Sequence, residues 1–591
     1  MNQPHSHDPE AGHPVVIPGV TPKPPGTREF TFRALVAGVA VAAIMGASYP
    51  YIVLKLGFGP NVSVVAAFFG YLMLGIFFRD FNRWENNIVQ TAGTSAAQTA
   101  FMCVILAAFD FLGQRPGLNF HFAPTPLQSF AWLSSASILG LLLAVPMRRH
   151  YVVDEKLPFA DGIAAAETII VLDARGPEAR RAALALFGGT VASGLVMLLT
   201  SPYGGNVLPE EVLQSFFGLA AVGAGAGFAV SLLGVGSGMI VGNRINLSMA
   251  LGAVLSWIIA PKILFPHHFI AGVTRREILL WVMWPGTGLL IAGGLTALAL
   301  KWKTLARTFS TLSKESIAGD EFPLKWVGIG IGLATLALVA VQRFVFGLPI
   351  WLTLVSVAMS VPLMLVGLRV LGETNWGPIS QLTNMMQAIF AGLAPGNLIA
   401  NLGASGTTGT IATQSEAIMQ DYKAGDIIGS TPKYLTYSQL IAAPIGAAAV
   451  AWMYPLLKST YGIGGNGLSS PISTRIAGFA EVLSRGTSAL PPYALHFFVL
   501  FAVFGILITL AETRFGNYLP SPTGVGIGMM VPGSVVFTMV LGGLLMSLWT
   551  RLDRKSADKF GMPLASGLIS GEAIVAVVIP LLIAIGVLTA K

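Results

Sequence analysis

The most polar stretch of this chain that is still long enough to span a membrane lies at residues 401–421, NLGASGTTGTIATQSEAIMQD. At about 100° per residue, Thr407 and Gln414 share one helical sector with Asp421. Glu416 falls on a different side, which leaves only a narrow apolar strip. Such a helix cannot face lipid over most of its surface. We therefore expect it to be enclosed by other helices or to line a water-accessible cavity.

Further amide, hydroxyl and guanidinium groups lie in or beside apolar runs. They suit the binding of a zwitterionic or carboxylate-rich solute, and we predict a substrate-binding set of Asn86, Asn87, Gln90, Gln98, Asn243, Arg244, Asn397, Asn401, Thr407, Thr410 and Gln414. Arg244 is either a counter-charge for that solute or a cytoplasmic anchor of its span. Residues of these types also serve as hydrogen-bonding glue between helices, so that alternative stays open.

Three acidic residues at membrane depth are candidates for proton coupling: Glu167, Glu373 and Glu416. Desolvation disfavours the ionised form of a carboxyl group. A carboxyl group at such a depth can therefore take up a proton on one side of a membrane and release it on the other.

The composition indicates what holds these residues. Of 591 residues, 54% are hydrophobic and only 10% are charged, with a mean hydropathy of +0.72. Since soluble domains carry roughly a quarter charged residues, we predict an all-α polytopic membrane protein with about 14–16 spans. Two of these spans are polar, at 382–400 and 403–421. Shorter apolar pieces at 157–172 and 519–532 predict re-entrant or broken segments.

The distribution of charge predicts the organisation of the chain. Residues 1–29 are polar and Pro-rich and predict a disordered tail. Residues 30–302 and 323–591 form two transmembrane halves, joined by a basic linker at 303–322. Because Lys and Arg concentrate in alternate loops, we expect a cytoplasmic N-terminus and a cytoplasmic linker.

Two internal echoes leave a relation between the halves open. GTSAAQ (93–98) resembles GTIATQ (409–414), and LPFADGIAAAETI (157–169) resembles MPLASGLISGEAI (562–574). Transporters are often built from repeats. The two offsets differ, however, and chance matching in Gly- and Ala-rich sequence explains the echoes equally well.

Several function classes are disfavoured. The chain contains neither a P-loop pattern nor H-E-x-x-H, so we predict no ATP-driven motor, resident metal or cofactor. The formal charge of +8 is explained by basic loops and implies no nucleic-acid partner. The adjacent pair His267-His268 has no acidic residue nearby, which argues against an enzyme. The single cysteine, Cys103, leaves the redox compartment undetermined.

Four long motifs resemble the oligopeptide transporter family, in order along almost the whole chain. They are PMRRHYVVDEKLPFADGIAAAETI, GSGMIVGNRINLSMALGAVLSW, ATQSEAIMQDYKAGDIIGSTPKY and LPSPTGVGIGMMVPGSVVFTMVLGGLL. The chain lacks the N-P-G and K-I-P-P-R motifs of the eukaryotic peptide-transporting branch, so it is more similar to the yellow stripe-like and prokaryotic members. The resemblance implies a helical carrier of about 16 spans that couples uptake of small peptides or metal–ligand complexes to protons. It places Glu167, Arg244, Gln414, Glu416 and Asp421 in family motifs without giving them roles.

We therefore predict a secondary transporter, a proton-coupled symporter that imports small peptides or metal chelates. Its partners are that solute, protons and a lipid bilayer, which we expect to be a bacterial inner membrane. A homodimer is left open. The alternatives are a passive channel for small polar solutes and, less favoured, an intramembrane enzyme. A channel conducts without a proton gradient, whereas an enzyme needs a compact catalytic set.

Overall fold

A computed structural model describes residues 23–588 outside gaps at 57–61, 79, 116–117, 119, 174–176, 213–225, 301–320, 464–467, 469, 485–490, 516–517 and 585. The described chain is almost entirely helical, and its sheet consists of two short antiparallel strands, β1 (Glu211–Val212) and β2 (Phe228–Ala229). The prediction of an all-α fold is confirmed. The predicted tail and linker lie largely outside the described residues.

The helices before the linker are α1 (Phe32–Leu56), α2 (Ser63–Phe77), α3 (Arg83–Ala100), α4 (Cys103–Gly113), α5 (Pro126–Ala144), α6 (Ala160–Asp173), α7 (Pro177–Thr200), α8 (Leu232–Val241), α9 (Asn243–Ala253), α10 (Ala260–Leu264) and α11 (Arg275–Leu300). Short 3₁₀ turns occupy Val145–Met147 and Pro202–Gly204, and π-helical turns occupy Arg149–Asp154 and Val254–Ile259.

The helices after the linker are α12 (Leu324–Phe344), α13 (Ile350–Thr374), α14 (Ile379–Leu393), α15 (Leu398–Ile428), α16 (Pro432–Tyr461), α17 (Pro471–Ser484), α18 (Ala494–Phe515), α19 (Pro522–Met530), α20 (Gly533–Leu552) and α21 (Arg554–Ala584). The two predicted short segments correspond to α6 and α19. The two predicted polar spans correspond to α14 and α15, which are separated at residues 394–397.

Ten helical stretches among the described residues are long and apolar enough to cross a membrane, and three shorter apolar helices accompany them. The chain is therefore an integral, multi-pass membrane protein. In α12 and α18 only 17% of the most apolar window is buried. Their apolar side chains face outward, as the side chains of lipid-facing helices do.

Helices from the two predicted halves are interleaved. α16 packs against α1, α3 and α5, while α21 packs against α7 and α8. α15 is at the centre, in contact with α3, α5 and α6 from the first half and with α13, α14 and α16 from the second. Every residue from Ala400 to Tyr422 is buried, so the predicted enclosure of this polar helix is confirmed.

Small residues allow these close contacts. A Cβ atom at Gly140 on α5 would overlap the backbone of Ile411 on α15, and one at Gly406 would lie 2.7 Å from the ring of Trp132. α15 runs without interruption through its glycines. The glycines of α15 thus serve close approach between helices rather than local unwinding.

Candidate functional site

The first polar cluster in the core joins α3, α15 and α16. We call it the glutamine cluster, and it consists of Gln90, Gln414, Asp421 and Gln439. All four side chains are buried. The Asp421 carboxylate accepts hydrogen bonds from the amides of Gln90 (2.6 Å) and Gln439. Gln414 in turn donates to Gln439 over 2.8 Å.

Hydroxyl groups extend the glutamine cluster toward α5. Ser137 donates to Thr99 over 3.3 Å, and Thr99 donates to the amide oxygen of Gln414 over 3.0 Å. All donors in this series point toward Asp421, which can only accept while it is ionised. The cluster is therefore a buried, directional hydrogen-bond chain that ends on one titratable group.

Helix geometry explains why these side chains meet. Gln414 and Asp421 are seven residues apart, so two helical turns bring them to one face of α15. Gly446 on α16 lets that helix pack closely against α3, because a Cβ atom at Gly446 would overlap the carbonyl group of Ala96. α3 and α16 therefore lie together beside this face of α15. The amides of three helices can then reach one carboxylate.

A second polar cluster lies where three helices begin. α13 ends at Thr374, the chain turns at Asn375 with φ of 61°, and α14 starts at Ile379. α6 starts beside this turn at Ala160, and α19 starts at Pro522. We call the polar side chains at this place the helix junction: Asp161, Glu373, Asn375, Glu416 and Gln420.

Amide side chains bind the N-terminus of α6 at the helix junction. The backbone N–H of Asp161 donates to the Asn375 side chain (3.1 Å), and that of Gly162 donates to the Gln420 side chain (2.7 Å). Asn375 also donates to the Asp161 carboxylate over 2.7 Å. The amide oxygens thus occupy the position at which a helix N-terminus favours negative groups.

Glu373 binds the N-terminus of α19. Its carboxylate accepts from the hydroxyls of Ser521 (3.0 Å) and Thr523, and it pairs with Arg369 at 2.9 Å. Arg369 also pairs with Glu155 at 3.0 Å. Glu373 is therefore a compensated carboxylate, held by a guanidinium group and two hydroxyls.

Glu416 contrasts with Glu373. Its side chain is 7% exposed, and its Oε1 atom has no hydrogen-bond partner among the described residues. The carboxyl group lies against Gly377, where any side chain would collide with it. A buried carboxyl group in such surroundings is favourable when it holds a proton or faces a cation.

Two predicted binding threonines differ in their contacts. Thr407 accepts from Trp132 (3.0 Å) on α5 and from Gln342 (2.8 Å) on α12. Thr410 donates to the carbonyl group of Gly406 in its own helix over 2.7 Å. The structure therefore connects Thr407 to neighbouring helices and Thr410 to its own backbone.

Two predicted asparagines lie at the start of α15. The Asn397 side chain caps the helix by accepting from the backbone N–H of Ala400 (2.9 Å), and Asn401 donates to the carbonyl group of Gln387 (2.7 Å). Both hydrogen bonds stabilise the non-helical connection between α14 and α15. They do not join the glutamine cluster or the helix junction.

The predicted amides of α3 are distributed along that helix. Asn87 donates to Ser430 over 2.7 Å, next to the turn between α15 and α16. Asn86 lies against Gly70 on α2. Gln98 is half-buried and has no described hydrogen bond. Of the predicted amides on α3, the structure brings Gln90 into the glutamine cluster.

Asn243 and Arg244 belong to a different part of the core. Asn243 donates to Ser547 on α20 over 2.6 Å. Arg244 pairs with Glu512 on α18 and donates to the carbonyl group of Leu519 over 3.3 Å. These contacts join α9 to α18 and α20. Arg244 thus has a carboxylate partner within the protein.

Glu167 lies on α6, two turns after the helix junction. It is half-buried, and no hydrogen bond or ion pair links it to another described residue. The predicted binding and proton-coupling sets omit several residues that the structure places in or beside the two clusters: Asp161, Asn375, Gln420, Asp421, Gln439, Arg369 and Glu155. Arg369 and Glu373 are four residues apart, a spacing that could have indicated their pairing. Gln439, within an apolar run, was a weaker signal.

The comparisons with known proteins cover both clusters. The model of a family described as OPT oligopeptide transporter protein matches residues 29–583. The metal-nicotianamine transporter YSL2 of Arabidopsis thaliana is 24% identical over 626 residues, which cover 93% of this chain and 93% of the relative. The metal-nicotianamine transporter YSL3 of the same plant is 25% identical over 624 residues, which cover 93% and 91%.

Proposed function

The chain belongs to the OPT oligopeptide transporter family, and on that premise we propose that it is a secondary active transporter driven by protons. It imports small peptides or metal chelates as a symporter. The names of the relatives, metal-nicotianamine transporters, favour a metal chelate as the cargo. No enzymatic reaction is part of this proposal.

One observation carries the proposal: a 31-residue helix with polar residues on several faces is enclosed at the centre of the fold. Burying amides and carboxyl groups costs free energy unless they are hydrogen-bonded. In transporters, such groups at membrane depth mark solute and proton pathways. The enclosure of α15 by helices from both halves supports a pathway along it.

We assign proton coupling to Glu416 first. The other two predicted acids remain proposals with different surroundings: Glu167 has no described partner, whereas Glu373 is held in an ion pair with Arg369. For the solute, we propose the glutamine cluster and the helix junction as the binding region. The other predicted binding residues lie outside both clusters, and their part in solute binding stays a prediction.

The proposed setting is a bacterial inner membrane with a cytoplasmic N-terminus. The basic loops support this orientation through the positive-inside rule. A homodimer is compatible with the outward-facing apolar surfaces of α12 and α18, although lipid alone would also cover them. The oligomeric state can be measured by mass photometry in nanodiscs.

The function can be tested with purified protein in liposomes. We expect an inward proton gradient to drive accumulation of iron(II)–nicotianamine or tri-alanine above equilibrium. The Glu416→Gln variant should bind the solute but lose gradient-driven accumulation, because the amide cannot release a proton. The matched control is Glu210→Gln, the same change on an exposed loop, which should transport like the unmodified protein.

Three outcomes separate the alternatives. Equilibration without a gradient requirement would identify a passive channel. Wild-type accumulation that is unchanged in Glu416→Gln would remove Glu416 from the coupling mechanism. If neither probe is concentrated by the wild-type protein under a proton gradient, proton-coupled import of these cargo classes is wrong.

A further inference from the structure

Three buried oxygen atoms on one face of α3 have no hydrogen-bond partner among the described residues. They are Oδ1 of Asn87, Oε1 of Gln90 and Oγ1 of Thr91, and all three side chains are inaccessible to solvent. At about 100° per residue they lie within one sector of about 100°, over a single turn of the helix. A buried oxygen that accepts nothing is costly, so three of them within one turn indicate a shared occupant.

Hydrogen bonds made by the amide nitrogens fix the direction of two of these oxygens. Asn87 donates to Ser430 over 2.7 Å, and Gln90 donates to Asp421 over 2.6 Å and to Thr94 over 2.9 Å. Turning the Gln90 amide would place its oxygen against the Asp421 carboxylate. The unpartnered oxygen of Gln90 is therefore a consequence of the hydrogen bond to Asp421.

Asp421 gives this place a negative charge. Its carboxylate accepts from side-chain amides, which are neutral. The hydrogen bond from Gln90 also polarises that amide, because electron density moves toward its oxygen when the N–H group donates to an anion. Arg83, one turn before Asn87, has its own carboxylate partner, Asp173, at 3.6 Å. The three oxygens therefore lie where a positive charge is favourable.

The types of ligand indicate the class of ion. Amide, hydroxyl and carboxylate oxygens are hard ligands, which suit alkali and alkaline-earth cations. One carboxylate balances a single positive charge, whereas a divalent ion would leave a net positive charge in the core. In the part of the chain that the structure describes, no group of three acidic, histidine or cysteine side chains could hold such an ion. The ligand set thus suits sodium or potassium.

We propose that Asn87, Gln90 and Thr91 bind an alkali-metal cation, with Asp421 behind Gln90 as the balancing negative charge. Because these residues join α3 to α15, the bound ion stabilises the contact between the two helices. The ion exchanges with the medium and is not a resident cofactor. The inference goes beyond the proposed transport function, since its site does not depend on proton coupling or on the solute.

The site is tested by thermal unfolding of the full-length detergent-solubilised protein in NaCl, KCl or choline chloride at equal ionic strength. A ligand that binds only the folded state raises the unfolding temperature by mass action. We expect NaCl or KCl to raise this temperature by about 2 °C or more relative to choline chloride, and the rise to saturate with concentration. A buried water molecule in place of the ion would give no difference between the salts.

The first variant is Thr91→Val, which has nearly the same shape and removes both a ligand and an unpartnered buried hydroxyl. We expect it to be at least as stable as the unmodified protein in choline chloride, but to lose most of the rise caused by the alkali salt. The matched control is Thr509→Val on α18. The Thr509 side chain is also buried, and its hydroxyl donates to Gly505 in its own helix over 2.8 Å. This control should keep the full rise.

The second variant, Asn87→Asp, tests the site by a gain of affinity. It replaces a neutral ligand by a carboxylate of nearly the same shape, and the Ser430 hydroxyl can donate to it in place of accepting. We expect the apparent dissociation constant of the alkali cation to fall by about fivefold or more.

Three results would each overturn the inference: equal unfolding temperatures of the unmodified protein in alkali and choline salts, a full rise in Thr91→Val, or an unchanged dissociation constant in Asn87→Asp. Transport in liposomes is scored separately. If the unmodified protein accumulates a solute under a proton gradient while one of these results is found, the transport function stands and only the cation site is refuted.

Discussion

Replacing Asp421 by Asn tests whether the glutamine cluster depends on an acceptor at its end. The two carboxylate oxygens accept from Gln90 and Gln439. An Asn side chain offers one oxygen and one N–H donor, so one incoming donor would face another donor. Gln439 cannot simply rotate its amide, because its oxygen already accepts from Gln414. Gln90 can turn its amide, because its oxygen has no described partner, but its NH2 group then takes that unpartnered position, so one buried donor still lacks an acceptor.

The expected loss of stability follows from the one buried donor that is left without an acceptor. A buried donor without an acceptor costs about 1–3 kcal/mol. Removing a buried charge offsets part of the loss. We therefore expect Asp421→Asn to lower the free energy of unfolding by about 1–3 kcal/mol. Chemical denaturation in mixed micelles measures this difference, and Asp558→Asn, in a pair that is largely exposed, should stay within about 0.5 kcal/mol of wild type.

A second substitution tests the direction of the hydrogen bonds in the glutamine cluster. In Asp421→Asn combined with Gln439→Glu, the new carboxylate accepts from Asn at 421 and from Gln414, while the Asn oxygen accepts from Gln90. Every donor again has an acceptor, so the double variant should recover at least half of the lost stability. If Asp421→Asn is as stable as wild type, or the second change gives no recovery, the directional chain is refuted.

Two further predictions concern contacts that hold α15 and its neighbours. Gly446→Ala should destabilise the protein by about 1–3 kcal/mol, because the added methyl group would overlap the Ala96 carbonyl group; Gly478→Ala, with open space around it, should be neutral or slightly stabilising in the same denaturation series. Trp132→Phe removes the donor to Thr407 and leaves a cavity where a fully buried indole ring packs, so it should cost about 2–4 kcal/mol; an unchanged denaturation midpoint would contradict this expectation.

The local features of the fold were predictable from the sequence. The Pro395-Gly396 pair predicts the break between α14 and α15, and the polar character of residues 401–421 predicts an enclosed helix. Both follow from hydrogen-bonding requirements that apply within a few residues of chain. The short helices α6 and α19 were likewise predicted from the length of their apolar runs.

Contacts between distant segments were not predictable in this way. The sequence predicts a solute counter-charge or an anchor at Arg244, and it gives no sign of the ion pair with Glu512, which is distant in the chain. For Asn397 the sequence predicts solute binding, which stays a prediction, and the structure adds that its side chain caps α15. A side chain's type indicates what it can bind. Its partner depends on which helices the fold places beside it.

The structure also changes how the polarity of α15 is understood. Many of its hydroxyls bond to carbonyl groups one turn earlier in the same helix, as Thr407 and Thr410 do. The longer polar side chains of α15 point in two different directions around the helix axis. At about 100° per residue, Gln414 lies on the face toward α3 and α16, whereas Glu416 lies roughly opposite, toward α13 and α14. One uninterrupted helix therefore joins the glutamine cluster to the helix junction, so a shift of α15 at the junction must also disturb the hydrogen bonds to Asp421.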